Sequence, residues 1–271
     1  MVVQHNLQAM NSNRMLGLTQ STLSKSTEKL SSGYRVNRAA DDAAGLAISE
    51  KMRRQIRGLT QASRNAQDGI SMVQTAEGAL NEVHDMLQRM NELAIQAKNG
   101  TNVASTDKTY INLEVSQLIQ EIDDVANNTK FNGLSLLNKD SNVITLQVGS
   151  EASHEMKLTL SKLTAEGLGV NDVKVDTSSD ANDAIDTVKT AIDKLNKQRA
   201  KLGAYQNRLE HKIANLDNVV ENTTAAESQI RDTDMASEMV KYSNSNILQQ
   251  AGQSMLSQSN QSNQGVLSLL G

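Results

Sequence analysis

His154-Glu155 begins like the H-E-x-x-H signature of zinc proteases, in which a second histidine one helical turn later completes the metal site. Position 158 is Leu158, so that second ligand is missing, and a surface position beside a hairpin accounts for His154 better. The other histidines, His5, His84 and His211, stand far apart in the chain. Asp41-Asp42 and Asp123-Asp124 are paired carboxylates, but adjacent residues on a helix point in different directions and do not share a proton or a metal. The first pair suits helix capping and the second a solvated surface. Arg53, Arg54 and Arg57, beside Glu50 and Lys51, read as a solvated helix start or a protein contact rather than a nucleic-acid patch. There is no P-loop, dinucleotide fingerprint or nucleophile elbow. The chain offers no catalytic residues, no metal site and no cofactor. It is not built as an enzyme.

Composition agrees. With 27 basic and 31 acidic side chains in 271 residues, the net charge is −4, a poor basis for gripping DNA. Zero Cys removes disulfides, thiolate metal sites and thiol catalysis without fixing a compartment. Zero Pro leaves long helices uninterrupted. Aromatics make up only 2%, too few for an ordinary compact core. No apolar run approaches the ~20 residues of a membrane span, and MVVQHNLQAM does not read as a cleavable signal peptide.

Elements follow from periodicity. A seven-residue step from Met52 lands on Leu59, Ala66, Val73, Leu80, Leu87 and Ala94, with Ala62, Gly69, Ala76, Val83, Met90 and Ala97 as a second seam. This predicts one helix from Asp41 to about Asn99, capped by Asp41 or Asp42 and stopped at Asn99-Gly100. At 1.5 Å per residue it is a rod about 85 Å long. Ile111, Val115, Leu118, Ile122 and Val125 predict a second helix. A third starts near Ser179, with Leu195, Leu202, Leu209 and Leu216 seven apart and a companion row of Ile185, Ile192, Ile213 and Val220 interrupted by Arg199 and Gln206. These seams fit a coiled coil or an ordinary bundle equally. Ile144, Leu146 and Val148, then Met156, Leu158 and Leu160, alternate with polar residues and predict a β-hairpin near 142–162. The fold class is mainly α, a long coiled-coil-like helical bundle with a small β-hairpin appendage.

Each end carries one thin apolar stripe. At the start it is Val2, Ala9, Leu16, Leu23 and Leu30; at the close it is Val240, Ile247, Ala251, Met255 and Val266, among Gln, Ser and Asn. Such stripes do not offset backbone ordering at ~1–2 kcal/mol per residue, so the ends are expected to be disordered alone and helical when packed on each other and on neighbouring copies.

Specific motifs then narrow the identity. KLSSGYRVNRAADDAAGLAISEKMRRQIRGL from Lys29, QDGISMVQTAEGALNEVHDMLQRMNELAIQAKNGT from Gln67 and NNTKFNG from Asn127 closely resemble bacterial flagellin. So do RAKLGAYQNRLEHKIANL from Arg199, ENTTAAESQIRDTDMASEM from Glu221 and the tail NILQQAGQSMLSQSNQSNQGVLSLLG. A hook–filament junction protein would share helical ends, but these middle motifs point to the filament subunit.

The resemblance implies a filament protein for motility. Residues 1–40 with 235–271 would form the inner-tube domain, and 41–234 the surrounding long-helix domain; no large outer domain is present. It also implies extracellular location in the bacterial flagellum after type III export. Implied partners are further copies of the chain, hook-junction and filament-cap proteins, an export chaperone at the C-terminus, and host Toll-like receptor 5, with no nucleic acid and no membrane. The family's receptor motif falls on Gln88, Arg89, Glu92, Leu93 and Gln96, with Glu114 on the next helix. There Leu93 would be an apolar anchor, Arg89 a bidentate donor, and Glu92 and Glu114 acceptors. Two departures from the family pattern are Asn91, where a basic residue is common in receptor-stimulating members, and Asn263, where Pro is frequent.

Overall fold

The computed structural model describes residues 6–99, 105–140 and 142–270, apart from the side chains of residues 105, 178, 263 and 266–270. The elements in order are α1 (Leu7–Ser32), α2 (Ala43–Lys98), α3 (Ser105–Asn128), β1 (Lys130–Phe131), β2 (Leu134–Ser135), β3 (Asn142–Gln147), β4 (Glu155–Leu160), α4 (Ala165–Leu168), α5 (Ser178–Arg231) and α6 (Met235–Leu270). The chain separates into two compact units, Arg57–Val220 and the two ends, Met1–Ile56 with Glu221–Gly271. That division falls inside α2 and α5, whereas sequence boundaries at 40 and 235 follow the breaks between helices.

Within Arg57–Val220 one large apolar core is accompanied by a small separate cluster of Leu59, Ala62 and Leu216. Both α2 seams are buried from Leu59 to Ala97, as their small side chains and 3–4 spacing require. Ile111, Val115, Ile119, Ile122 and Ala126 of α3 meet them, together with Val188, Leu195, Leu202 and Leu209 of α5. The companion row of α5 is displaced from the expected one by a residue. Ala184, Ala191 and Gln198 are buried, while Ile185, Ile192, Arg199, Gln206, Ile213 and Val220 lie half-buried on the shoulder. Gln198 is admitted because both ends of its amide are satisfied. Its Nε2 donates to the Thr159 carbonyl at 3.3 Å and its Oε1 accepts from Ser161 Oγ at 3.3 Å.

β3 and β4 pair antiparallel, with Ile144 opposite Leu158 and Leu146 opposite Met156. Their alternation turns Met156, Leu158 and Leu160 into the core. The helices cover the sheet edges: Tyr205 Oη accepts from the Thr159 amide at 3.3 Å, and Asn65 Nδ2 donates to the Gln147 carbonyl at 3.0 Å. Gly69 explains the close seat. A Cβ there would stand 2.3 Å from Leu146 Cδ1, so the small residue in the α2 seam admits the hairpin.

A second antiparallel pair, β1–β2, was not expected from alternation. Its turn is Asn132-Gly133, both left-handed (φ 48° and 78°), the geometry that favours Asn-Gly in two-residue hairpins.

The ends form the other unit. Asp42 caps α2, its Oδ1 accepting from the Gly45 amide at 2.8 Å. Asp41 serves the preceding turn instead, accepting from the amides of Arg38 and Asn37 at 3.0 and 3.3 Å, chiefly the former, and those bonds hold its carboxyl below its ordinary range. α2 closes at Lys98, and the expected stop residue Gly100 lies outside the described residues. Gly33 ends α1 in the left-handed conformation (φ 75°), and Tyr34 then bridges to Asp232. The Arg231 guanidinium stacks 4.5 Å from the Tyr34 ring centroid and donates to Glu50 at 2.8 Å, where Arg53 also binds at 3.1 Å. The basic cluster at the start of α2 is therefore partly consumed by an internal ion-pair network.

α1 and α6 run antiparallel. Asn6 pairs with Ser259 at one end and Ser26 with Glu238 at the other.

Candidate assembly and recognition surfaces

α1 turns its predicted stripe toward α6. Ala9, Leu16, Leu23 and Leu30 are half-buried, with Ser12, Thr19 and Ser26 completing that face. α6 answers with a different face from the one its apolar residues mark. Glu238, Ser245, Gly252 and Ser259, spaced by seven, and Tyr242, Gln249 and Leu256 lie toward α1. A Cβ on Gly252 would meet Leu16 Cδ1 at 3.2 Å. Val240, Ile247, Ala251 and Met255 are exposed, the last two at the rim of the α1–α6 groove. Of the remaining stripe positions, Val2 lies outside the described residues, as does His5, and the side chain of Val266 is not among those described.

The result is a helix pair whose buried side chains, among the described residues, are Ser26, Glu238 and Ser245, with no apolar one. Meanwhile Leu7, Met10, Met15 and Leu18 of α1 and Met235, Met239, Val240, Ile247, Leu248 and Met255 of α6 stand exposed.

The one charge buried in this pair is Glu238. Ser26 Oγ donates to it at 2.6 Å and Lys241 Nζ at 3.4 Å. These bonds, Ser26 first, hold its carboxyl below the ordinary value of 4.5 against the opposing effect of burial. A depressed folded-state value stabilises the pair above the unfolded value and loses that contribution as pH falls through the folded one. The α1–α6 pairing is therefore expected to weaken in acid below about pH 4.5, and Glu238→Gln to flatten that dependence. Amide exchange of α1 and α6 against pH reads this; an unchanged acid limb in the variant assigns the effect to other carboxylates.

On α2 the recognition motif divides. Leu93 is 1% exposed and belongs to the core, so it is no apolar anchor for a partner. It falls on neither predicted seam, but its place beside Met90, Ala94 and Ala97 turns it inward. Gln88, Arg89, Glu92 and Gln96 are exposed, as is Glu114 on α3. Arg89 Nε donates to Glu114 at 2.9 Å and its Nη1 to Glu92 at 3.2 Å. Both carboxylates, Glu114 first, hold the guanidinium still more firmly protonated. Gln88 pairs with His84 at 2.8 Å. Apolar exposure near this patch comes instead from Ile95 on α2 and from Tyr110 and Leu113 on α3. The signal was available, since 110 and 113 fall off the 111–115–118–122 stripe.

Asp123 is likewise not a solvated carboxylate. Its Oδ1 accepts from the Ala165 amide at 2.8 Å and orders the start of α4. His154 belongs to the β3–β4 turn, its carbonyl accepting from the Val148 amide at 3.0 Å. Among the described residues no group of three His, Cys, Asp or Glu side chains could hold a metal ion, and no helix is long and apolar enough to cross a membrane.

Comparison with known proteins accounts for this architecture. Residues 3–142 match the bacterial flagellin N-terminal helical region and residues 185–270 the bacterial flagellin C-terminal helical region. The chain is 52% identical over 274 residues to the flagellin of Halalkalibacterium halodurans and 47% identical over 303 residues to that of Bacillus subtilis, each aligned over its full length and that of this chain. The crystal structure of Bacillus cereus flagellin is 36% identical with a TM-score of 0.50, covering 56% of this chain and 88% of that one. Two matched terminal regions and full-length identity to flagellins lead to one conclusion: the chain belongs to the bacterial flagellins, structural subunits of the flagellar filament and not enzymes.

Proposed function

We propose that α1 and α6 are the polymerisation elements, and that they become stably ordered only when neighbouring copies cover them. The supporting observation is that the described part of this pair buries no apolar side chain while exposing ten large ones. Isolated helices held by so little are marginal in water, because packing of an apolar face supplies most of a helix's stability. In this reading residues 1–40 and 235–271 line the filament channel and residues 41–234 surround them. Ends that stay loose in the free subunit suit unfolded passage through a type III export channel. They suit capture of the C-terminus by an export chaperone, and incorporation at the growing tip between hook-junction and cap proteins. The filament is then extracellular. Amide exchange tests the ordering: α1 and α6 should be only weakly protected in the subunit and become strongly protected in filaments. Protection already complete in the free subunit would overturn it.

A second reading concerns a host receptor. We infer that Toll-like receptor 5 binds the surface around Arg89, Glu114, Gln88, Glu92 and Gln96, with Leu93 setting the helix face from within the core. Arg89 would exchange one of its own carboxylates for a partner group, and such charged contacts at an interface centre reach hot-spot size. Arg89→Ala should weaken receptor binding by at least ~1–2 kcal/mol. Unaltered affinity in a direct binding assay would reject the assignment without touching the filament reading.

A further inference from the structure

Methionines in this chain are sorted by exposure. Of the ten described, Met10, Met15, Met235, Met239 and Met255 are 47–64% exposed, and all five lie on α1 or α6. Met72, Met90 and Met156 are buried in the core of the other unit, and Met52 and Met86 are half-buried on α2. Half of the ten large apolar side chains exposed on the terminal helices are therefore thioethers. No cysteine is present to act as an earlier target for an oxidant.

We propose that these five methionines form an oxidant-sensitive switch on self-association, closed by hydrogen peroxide or hypochlorous acid acting on the free subunit. The inference rests on the reading that α1 and α6 meet neighbouring copies. A thioether sulfur attacks one peroxide oxygen with its lone pair. The O–O bond breaks as the S–O bond forms, the departing hydroxide leaves as water after proton transfer, and the sulfur is oxidised by two electrons while the peroxide is reduced. With hypochlorous acid the leaving group is chloride and the proton goes to solvent. The sulfoxide is polar and chiral, and it disrupts Met-rich contact surfaces while remaining open to reduction by methionine sulfoxide reductases. Exposure selects the terminal helices, so the faces that must be buried in a polymer become polar while the core is spared. In the filament the same sulfurs are covered by neighbours, so the polymer resists a dose that disables unassembled subunits.

The experiment compares purified full-length subunits before and after graded peroxide treatment. Peptide mass spectrometry should place sulfoxide on the five terminal-helix methionines before Met72, Met90 and Met156, with thermal unfolding unchanged. Elongation from filament seeds should slow at least tenfold and recover after reductase treatment. A variant carrying M10L, M15L, M235L, M239L and M255L should elongate equally with and without peroxide. Should that variant fail to elongate untreated, the reductase recovery decides. Full sulfoxide at the five positions with normal elongation, or slowing that no reductase reverses, would overturn the switch. Failure of the underlying reading looks different: untreated chains lacking α6 would still polymerise.

Discussion

Chains lacking residues 235–271, or lacking 1–40, are expected to be helical and soluble and to form no filaments at any practical concentration. α6 exposes six large apolar side chains and α1 four, and these are the contacts a neighbouring copy would bury. Burying one such side chain is worth about 1.5–3 kcal/mol, so losing even three removes more than ~4 kcal/mol, roughly a thousandfold in subunit affinity. The rest of the molecule should survive, because the buried clusters within Arg57–Val220 draw no residue from α1 or α6. Electron microscopy and sedimentation of seeded, truncated protein would check both halves of this. Normal tubes from either truncation would refute the assignment of assembly to the ends. A truncated chain that has lost its cooperative thermal transition would instead show that the ends stabilise the core.

Legibility in the sequence followed how much each element depends on distant groups. The α2 seams and the β3–β4 alternation could be read directly, because burial on one face forces a local period of 3.5 or 2. The companion row of α5 could not. Ile185 and Ile192 are more hydrophobic than Ala184 and Ala191, yet the buried row is that of the small alanines, continued by Gln198, whose amide is satisfied by Thr159 and Ser161. Leu93 shows the same limit on the functional side. Motif resemblance pointed to the surface around Arg89, but whether one member faced out or in was decided by its packing beside the α2 seams. α6 erred in the opposite sense. Its apolar stripe was read correctly as an apolar stripe, but hydrophobicity does not distinguish a face that pairs within the chain from one left open, and Glu238, Ser245, Gly252 and Ser259 carry the internal contact. The Asn132-Gly133 turn was legible and passed over, since its strands are only two residues each.

Replacing Leu209 with Asp should produce a large loss of stability. Leu209 is fully buried where α5 meets α2 and the hairpin: a Cβ on Gly69 would touch Leu209 Cδ1 at 3.3 Å and Leu146 Cδ1 at 2.3 Å. Leu209→Ala alone would cost about 2–5 kcal/mol through lost transfer energy and the cavity left behind. Asp adds an uncompensated charge, which burial makes costlier still. A loss of ~4 kcal/mol in a cooperative unit of this size corresponds to a fall of roughly 10 °C in Tm. The neighbouring Arg208 is exposed, so Arg208→Ala should stay within about 0.5 kcal/mol of the parent chain. Thermal unfolding of both variants tests the register of α5 in adjacent residues. A normal melting curve for the Leu209 variant, or an equal drop for the Arg208 variant, would place the α5 seam on another face and detach the hairpin from its seat on Gly69.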